Sequence, residues 1–382
     1  MKIVFWVNIP SINMASLWRE LADIWAEEIT VIAEERILES RIKLGWQVPD
    51  LKGIRIFYLN ECLVTPQIFV YEYIQKHADA VHILGLGSRS ADLAMKGLKK
   101  ISNPRVMIIS ERIDFRQLKM KLKAPIYYWR FLRCNRYLSA FLAMGNLGVR
   151  SFKRLGISSD KLYPFSYALR MNPTQTDKTE KKCKSRPLRF IYVGRNSKTK
   201  GIDVLLKAFV HLADKEWQLS VAGFEPTLKM KKQLLNQGLY EKINFLGPVR
   251  HDQIFKLLAE HDVCLVPSRY DGWGMAGSEA IASGIGVIIT DKVGSLDMVK
   301  YSGAGRIVRA GNISELRNAV DCLIEKPEIA EHWKTLASEY LPNLSSKRLA
   351  EYLGAILRYE FKNKHNDVRP TYPLANPDRH AQ

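Results

Sequence analysis

Residues 263–290 read VCLVPSRYDGWGMAGSEAIASGIGVIIT, and this stretch decides the fold. Two apolar runs, VCLVP (263–267) and GVIIT (286–290), enclose a glycine-rich corner and about two helical turns of sequence. Continuous apolar runs rich in β-branched residues are typical of parallel strands that are covered on both faces. The stretch therefore predicts a strand, a loop, a short helix and a second strand, as in an α/β protein.

The same alternation of short apolar runs and amphipathic stretches continues in both directions. Strand candidates are KIVFWVNI, EITVIA, IRIFYL, DAVHILG and RVMIIS in the first half, and LRFIYVGR, WQLSVAGF and INFLGPV in the second. Helix candidates are ASLWRELADIWAEE, GIDVLLKAFVHLA and HDQIFKLLAEH. Strands that alternate with helices predict parallel sheets, so the expected class is α/β.

The 382 residues exceed what one hydrophobic core usually serves, which suggests two domains. A polar, proline-flanked stretch without apolar periodicity, residues 172–187, is interpreted as the linker. The expected domains are then 1–171 and 188–344. A helix at about 345–363 could pack back on the first domain, and disorder is expected for the polar, proline-rich tail 364–382.

The chain is strongly basic, with 58 Lys and Arg against 39 Asp and Glu and a net charge of +19. Its apolar content of 47% and charged content of 25% are ordinary for a folded protein in water. A charge excess of this size predicts an anionic partner. Nucleic acid, a membrane surface and a phosphorylated substrate are the three candidates.

The cysteines do not indicate a disulfide framework or a zinc site, because they are scattered and odd in number. They are Cys62, Cys134, Cys183, Cys264 and Cys322. A reducing compartment is the simpler interpretation. The amino terminus, MKIVFWVNIPS, is too short in apolar residues for a signal peptide and predicts a first strand, and no apolar run reaches the length of a transmembrane helix.

The glycine-rich corner is a candidate ligand site. In an open parallel sheet, ligands bind beyond the carboxyl ends of the strands, where this corner lies. Gly272, Gly274 and Gly277 keep the loop free of Cβ atoms, so that backbone N–H groups can approach a ligand closely.

A short helix is predicted to follow the corner, from near Met275 to about Ser283, with Gly284 as its carboxyl-terminal cap. The amino end of a helix suits a phosphate. Asp271 in the loop and Glu279 in or near the first turn would stand on either side of that anion site. Two carboxylates in such positions suggest recognition of hydroxyl groups, such as those of a ribose and of a second sugar.

These residues resemble a known family. Asp271 and Glu279 are separated by seven residues, just after a strand that ends in Pro-Ser, and YVGRNSKTKGIDVLLKAF places Arg195 and Lys200 between a strand and a helix. A strand ending in glycine, INFLGPV, supplies Gly247. In these features the sequence is similar to family 4 retaining glycosyltransferases of the bacterial surface-polysaccharide type, specifically over most of 186–340.

The resemblance implies the GT-B fold, with two Rossmann-like domains whose parallel sheets face each other across a cleft. It implies that Glu279 binds the ribose hydroxyls of a nucleotide sugar, that Asp271 holds hydroxyls of the transferred sugar, and that Arg195 and Lys200 bind the diphosphate. Other expected donor contacts are Gly247, Gly272, Gly274, Met275 and Ala276.

The resemblance also implies chemistry without a metal or another cofactor. The donor would be UDP- or GDP-linked, and the leaving phosphate would take the acceptor's proton during front-face attack. The sequence has no Asp-x-Asp at a strand end that would hold a metal. The fixed cations would stabilise the charge that grows on the leaving group.

The sequence departs from the family pattern in three places. The first acid is Asp271 rather than Glu, and NIPSINMAS stands where a Gly-Gly loop is usual. The family often has a histidine at a strand end of the first domain, where RVMIISERID offers Ser110 and Glu111. Glu111 is a candidate polar contact or base, or an ordinary salt-bridge partner. His82 is either a catalytic or a packed histidine.

Residues 116–137, RQLKMKLKAPIYYWRFLRCNRY, concentrate the basic excess. Their cations alternate with apolar and aromatic side chains, and three interpretations remain open. Such a segment suits the headgroup region of an anionic membrane. It also fits a helix that packs its aromatic side chains into the first domain, or a surface that binds single-stranded nucleic acid.

The hypothesis is a metal-independent, retaining hexosyltransferase that uses a nucleotide sugar and a glycan or lipid-linked acceptor. A role in bacterial cell-surface polysaccharide or lipopolysaccharide biosynthesis is expected, with the protein cytoplasmic and peripheral at the inner face of the cytoplasmic membrane. An anionic membrane surface is the expected partner, and nucleic acid is not. The alternatives are a GT-B sugar-nucleotide epimerase or phosphorylase, and a non-catalytic nucleic-acid-binding protein.

Overall fold

The computed structural model describes residues 1–42, 45–51, 53–169, 186–363 and 368–375. The chain divides into two compact α/β units, and each is described by itself. The first unit comprises Met1–Arg170 and Ser345–Ala375, and the second comprises Met171–Leu344 with Asn376–Gln382. Most of the linker predicted at 172–187, Cys183 included, lies outside the described residues.

The first unit is built on a sheet of seven strands. The strands are β1 Ile3–Val7, β2 Ile29–Ala33, β3 Arg55–Tyr58, β4 Val81–Gly85, β5 Arg105–Ser110, β6 Leu138–Met144 and β7 Leu162–Phe165. The helices between them are α1 Ile12–Ile24, α2 Glu39–Ile42, α3 Pro66–Lys76, α4 Arg89–Leu98, α5 Leu118–Cys134 and α6 Gly145–Arg154. Side-chain caps begin two of these helices: Ser11 Oγ accepts from Asn13 N before α1, and Ser88 Oγ accepts from Ala91 N before α4.

All seven strands are parallel and lie in the order β3-β2-β1-β4-β5-β6-β7. The chain first moves outward from β1 to β3 and then returns to the other side of β1. The strand order therefore reverses between β1 and β4. Trp6 and Phe141 are fully buried in the core of this unit.

The described residues of the second unit form a sheet of six strands. They are β8 Leu188–Val193, β9 Trp217–Ala222, β10 Ile243–Gly247, β11 Val263–Val266, β12 Gly286–Thr290 and β13 Gly305–Val308. The helices are α7 Ile202–Val210, α8 Leu228–Asn236, α9 Ile254–Ala259, α10 Met275–Ala282, α11 Leu296–Ser302, α12 Ile313–Glu325 and α13 Glu328–Tyr340. Phe190, Phe209 and Trp217 are among the fully buried residues of its core.

The six strands are also parallel, in the order β10-β9-β8-β11-β12-β13. Their order reverses between β8 and β11, which pair through Val263↔Phe190 and Cys264↔Ile191. A reversal of this kind opens a crevice beyond the carboxyl ends of the two central strands. The fold thus puts the loops after β8 and β11 side by side.

The last helix, α14 Ser346–Arg358, belongs to the first unit and packs against α1. Ser346 Oγ donates to Leu169 O at 3.1 Å, and Tyr352 OH donates to Pro164 O at 3.1 Å. A π-helical turn, Tyr359–Asn363, follows it.

The described part of the tail, residues 368–375, differs from the expected disorder. Tyr372 is 6% exposed and Leu374 is 2% exposed. Tyr372 OH donates to Phe165 O at 3.1 Å, and Arg369 Nη2 donates to Leu162 O at 2.6 Å. Buried aromatic and aliphatic side chains hold this segment on the edge of the first sheet. Its polar composition therefore did not predict that it is ordered.

The sequence pattern located ten of the strands, and three were missed. β6 (LSAFLAM) is rich in alanine, leucine and methionine, which suit a helix equally well. β7 (LYPF) contains a proline, and β13 (GRIV) is short, with Arg306 and Ile307 exposed. The two shorter strands lie at sheet edges, where few residues are needed to complete a ladder.

Four cysteines, Cys62, Cys134, Cys264 and Cys322, are free thiols. None of the helices in the described ranges is both long and apolar enough to cross a bilayer.

A buried carboxylate holds the second unit together at the start of β8. Asp262 has a side chain that is 2% exposed, and both its oxygens accept from Arg186 at 2.7 Å. Lys334 Nζ donates to it at 2.7 Å, and Arg189 N donates at 2.8 Å. Burial alone raises the pKa of Asp262, but the bonds from Arg186 and Lys334 outweigh burial and hold that pKa well below its usual range.

We expect Asp262→Asn to lower the free energy of unfolding by about 3 kcal/mol at neutral pH, because two cations would lose their buried partner. The folded-state pKa is depressed, so the stabilisation is present above the ordinary value of 3.8 and is lost as pH falls below it. Urea unfolding followed at neutral and acid pH measures both effects. Asp252→Asn, which breaks an exposed pair with Arg250, is the control. Equal losses in both variants would contradict the prediction.

Candidate functional site

The loops after β8 and β11 are fixed to each other by a close backbone approach. Gly201 stands at the start of α7 with φ +73°, and a Cβ at this position would collide with Pro267 O. Arg269 N donates to Thr199 O at 2.8 Å, and Arg269 Nη1 donates to Lys198 O at 2.8 Å. Arg269 also makes a bidentate pair with Asp203 at 2.6 and 2.7 Å. The β8–α7 loop therefore has a fixed position against the end of β11.

Tyr192, in strand β8, fixes the backbone of Arg195, because its hydroxyl donates to Arg195 O at 2.9 Å. Burial raises the pKa of the Tyr192 phenol, so it remains a donor at all physiological pH values. The Arg195 side chain is exposed, and no ion pair joins it to another residue within the described ranges. A guanidinium in this position is available to an incoming anion.

Lys200 and Asp271 form an ion pair through Nζ and Oδ2, although 70 residues separate them in sequence. Their side chains are 26% and 17% exposed, so both reach solvent. Asp271 is aligned by its own backbone, because Asp271 N donates to Lys292 O at 3.0 Å and Asp271 bridges to Val293. Two residues that the family resemblance singled out thus meet at one point.

The glycine-rich corner is packed too tightly for larger residues. Gly274 has φ +86°, and a Cβ there would collide with Val293 Cγ1. A Cβ at Gly277 would lie 2.9 Å from Ser295 Oγ, and the hydroxyl of Ser295 donates to Gly274 O at 2.9 Å. Gly272 O closely approaches Gly294. The glycines therefore serve a close backbone contact with the loop after β12.

The corner leads directly into α10, which begins at Met275 and ends at Ala282, with Gly284 in the left-handed region at φ +76°. These bounds confirm the predicted helix. Met275 and Ala276 are half-buried at its amino end. Trp273 anchors the entry, since it is fully buried and its Nε1 donates to Ser278 Oγ at 3.2 Å.

Glu279 is the fifth residue of α10, one position beyond the first turn, and is 5% exposed. Burial raises the pKa of its carboxyl group to about 7. An acid that merely favours a helix start would lie exposed near the first N–H groups. A carboxyl group buried without a salt bridge to Lys or Arg among the described residues is instead typical of a functional site.

His251 lies beside Glu279, with Nδ1 at 3.8 Å from Oε1. This distance is too long for a hydrogen bond. Burial lowers the pKa of His251, so the ring is neutral at neutral pH and does not ionise Glu279. The sequence analysis missed this residue, although it follows the glycine-ended strand β10 at the same edge of the sheet.

Gly247, at the end of β10, has φ +64°, and a Cβ there would collide with the Glu225 carboxylate. Gly247 O accepts from Gly223 N at 2.7 Å, which ties the ends of β9 and β10 together. The structure thus gives Gly247 a local backbone role, and its contact with a donor remains a prediction.

Glu111 belongs to the other unit, at the end of β5. Tyr167 OH donates to its Oε1 at 2.9 Å, and Ser110 Oγ donates to its backbone oxygen at 2.7 Å. Glu111 is half-buried. These contacts orient the carboxylate at a strand end, and its catalytic role stays a prediction.

His82 is a packed histidine. It is fully buried, its Nδ1 accepts from Trp6 Nε1 at 3.1 Å, and its Nε2 lies 3.1 Å from His77 O. Burial lowers its pKa to about 4. Both ring nitrogens are engaged, so the catalytic alternative for His82 is wrong.

The second unit therefore brings Lys200, Asp271 and the glycine-rich corner together at the strand-order reversal, with Glu279 on the helix that follows. Arg195 lies on the same loop as Lys200. Among the described residues, no group of three or more His, Cys, Asp and Glu side chains is arranged to hold a metal ion.

The fold has known counterparts. A glycosyltransferase from Rickettsia africae superposes with a TM-score of 0.71 at 16% identity, covering 95% of this chain and 99% of that one. Anabaena Alr3699/HepE, solved in complex with UDP, superposes with a TM-score of 0.66 at 16% identity. The superposition covers 94% of this chain and 99% of that one. Together with the two parallel sheets, these likenesses define the GT-B fold.

The second unit matches a known family model. Residues 174–339 match the family model described as "Glycosyl transferases group 1". The lipopolysaccharide core biosynthesis mannosyltransferase LpcC of Rhizobium leguminosarum bv. viciae is 27% identical over 172 residues, which cover 43% of this chain and 48% of that relative. The GDP-mannose:cellobiosyl-diphosphopolyprenol alpha-mannosyltransferase of Xanthomonas oryzae pv. oryzae is 31% identical over 141 residues, covering 35% and 36%.

The chain spans less than half the length of these curated relatives.

We expect Glu279→Gln to change how stability depends on pH. The folded-state pKa is raised, so the carboxyl's contribution is present below its ordinary value of 4.5 and is lost as pH rises through about 7. The variant lacks this loss. Its free energy of unfolding should therefore rise by about 3 kcal/mol relative to that of wild type as the pH goes from acid to mildly alkaline. Urea unfolding across that range measures it, with the exposed Glu241→Gln as control. Parallel pH curves for wild type and Glu279→Gln would show that Glu279 ionises freely.

Proposed function

We propose that the chain is a retaining, metal-independent hexosyltransferase that moves a sugar from a UDP- or GDP-linked donor to a glycan or lipid-linked acceptor. The observation that carries the proposal is the meeting of Lys200 and Asp271 beside the glycine-rich corner, one turn from the buried Glu279. Bacterial cell-surface polysaccharide or lipopolysaccharide biosynthesis is the proposed setting. The named activities of the Rhizobium and Xanthomonas relatives support it.

The donor diphosphate would lie between the Arg195 guanidinium and the Lys200 ammonium. Lys200 already neutralises Asp271, so the carboxylate does not repel an anionic donor. When the bond between the sugar's anomeric carbon and the β-phosphate oxygen breaks, negative charge grows on that oxygen, and fixed cations stabilise the charge more in the transition state than in the ground state. The two cations therefore act as leaving-group stabilisers.

Glu279 would bind the ribose hydroxyls. Because its pKa is about 7, the carboxyl group is partly protonated at neutral pH and can both donate to and accept from a diol. Asp271 would hold hydroxyls of the transferred sugar, with Lys200 fixing its orientation. In front-face attack the leaving phosphate takes the acceptor's proton, so no protein nucleophile is needed. Glu111 is the candidate for a polar contact or base from the first unit.

We further propose that the protein is cytoplasmic and peripheral at the inner face of the cytoplasmic membrane. The net charge of +19 supports this location, and so does the diphosphopolyprenol-linked acceptor in the name of the Xanthomonas relative.

Incubation with a donor labelled in its sugar tests the proposal and separates the alternatives. Transfer to acceptor-bearing membranes, with the donor's anomeric configuration kept in the product, is the expected result. Recovery of an epimerised nucleotide sugar, or of a sugar phosphate made with inorganic phosphate, would favour an epimerase or a phosphorylase. Tight, salt-dependent nucleic-acid binding without donor turnover would favour the non-catalytic alternative.

Arg195→Ala should lower turnover roughly 100-fold, which is the usual scale for loss of one stabilising donor, and should weaken donor binding less. Lys200→Ala should do the same, and it also leaves Asp271 without its ion pair. Steady-state kinetics and calorimetry with the nucleoside diphosphate give the two quantities. The exposed Lys300→Ala is the matched control. Equal losses in binding and turnover would show that the two cations only bind the donor and do not stabilise the transition state.

Transfer activity should survive EDTA, because the protein cations supply the charge that a metal would otherwise provide. Activity is measured before and after chelation, followed by dialysis. Loss of turnover that Mg²⁺ or Mn²⁺ restores would contradict the metal-free mechanism.

A further inference from the structure

Helix α5 is apolar on two opposite faces. One face packs into the first unit through Tyr127, Phe131 and Cys134; Phe131 is 2% exposed and stands edge-on to Phe141 and Phe152. The other face points to water. Its apolar residues are Leu118 (72% exposed), Leu122 (72%), Ile126 (67%) and Trp129 (56%), here called the outer stripe.

The outer stripe is continuous. Its members follow a spacing of four, four and three residues, which places them above one another on one side of a helix. Tyr127 and Phe131 project from the opposite side into the core. The outer stripe therefore makes no contribution to the core of the unit, and a row of exposed aliphatic and indole groups of this kind marks an interaction surface.

Cations lie on both sides of the outer stripe. Lys119 and Lys123 stand on one flank and Lys121 on the other, all exposed, and none of them forms an ion pair within the described part of the chain. The whole segment 116–137 contains no acidic residue. The segment therefore presents apolar and positively charged side chains together.

A groove opens where the outer stripe ends, between the carboxyl terminus of α4 and the last turns of α5. Its volume is about 640 Å³, and it is lined by Lys99, Ile126, Trp129, Arg130, Arg133 and Cys134. Arg130 donates to Asp92 at 2.8 Å, so its charge is partly compensated. Lys99 and Arg133 form no ion pair among the described residues, and both are exposed. The groove thus joins an apolar wall to two uncompensated cations.

We propose that α5 is a membrane-docking surface for anionic phospholipid. The helix lies in the plane of the interface, the outer stripe enters the acyl region, and the flanking lysines contact headgroups. The groove takes one headgroup phosphate between Lys99 and Arg133, with Trp129 at the level of the glycerol backbone. This inference deepens the proposed function, because it names the surface and the lipid chemistry that hold the enzyme at its acceptor.

The residue types favour lipid over the other occupants of such a surface. Leucine and isoleucine insert among acyl chains but cannot stack on nucleic-acid bases as aromatic side chains do. A second copy of the chain would bring its own lysine rows against these, and like charges repel at close range. An anionic bilayer satisfies both the apolar stripe and the cations.

Co-sedimentation of the full-length protein with phosphatidylcholine vesicles, with and without phosphatidylglycerol, tests the proposal. Wild type should bind only when phosphatidylglycerol is present, and binding should fall with salt. Lys119→Glu/Lys121→Glu/Lys123→Glu should weaken partitioning at least roughly 100-fold. Leu122→Ser/Trp129→Ser should also weaken it, and binding that remains should be more sensitive to salt.

The chain offers matched controls on α8 of the second unit. Lys229→Glu/Lys231→Glu/Lys232→Glu makes the same change in charge, and Leu228→Ser/Leu235→Ser removes leucines that are 85% and 58% exposed. Both controls should sediment like wild type. All substituted α5 side chains are exposed, so folding should be unchanged, as circular dichroism and thermal unfolding can verify. Lys99→Gln/Arg133→Gln tests the groove and should weaken binding roughly tenfold while the outer stripe is intact.

Nucleoside-diphosphate binding, measured in the same preparations, keeps this inference separate from the proposed function. Normal nucleotide binding without sedimentation of wild type would overturn the docking surface alone. Sedimentation without nucleotide binding would contradict the proposed transferase function but support the membrane-docking surface. Equal losses in the α8 controls would show that net charge suffices and would overturn the assignment to α5. Binding of single-stranded RNA that the α5 variants lose, without vesicle binding, would overturn lipid in favour of nucleic acid.

Discussion

The close approach of Gly201 to the carbonyl of Pro267 is the constraint on which the candidate site depends. A side chain at position 201 would push the β8–α7 loop away from the end of β11. Lys200, the preceding residue, would then no longer reach Asp271. The parallel sheet supplies the crevice, but this contact decides which side chains face each other inside it. Two bonds from Arg269 to the same loop, to Lys198 O and Thr199 O, give the contact a second support, and its ion pair with Asp203 fixes the first turn of α7.

Part of the candidate site was predictable because its determinants are local. The glycines around Asp271, the helix from Met275 and the cap at Gly284 are all encoded within fifteen residues, and the structure has them where the pattern indicated. The Lys200–Asp271 pair spans 70 intervening residues and the approach of His251 to Glu279 spans 27, so neither is encoded locally. The burial of Glu279, which raises its pKa, depends on tertiary packing in the same way.

In the fold, too, some elements are encoded locally and others depend on tertiary contacts. Strands such as β1 and β12 are continuous apolar runs whose composition excludes most alternatives. β6 has a composition that also suits a helix, and it becomes a strand because β5 and β7 offer it ladder partners on both sides. Residues 368–375 contain only two well-buried side chains, Tyr372 and Leu374. Their polar neighbours dominate the composition, so the packing of this segment could not be read from the sequence.

The first unit is assembled from two stretches of chain, with residues 171–344 of the second unit inserted between them. During synthesis, α14 therefore leaves the ribosome only after residues 171–344 have been made. At ordinary elongation rates this takes roughly 10–35 s, far longer than a helix needs to form or a small domain to collapse. Throughout that interval the face of α1 that α14 later covers is open to water. The first unit therefore carries an exposed apolar surface at a defined stage of synthesis, and its core is completed only when α14 packs on α1.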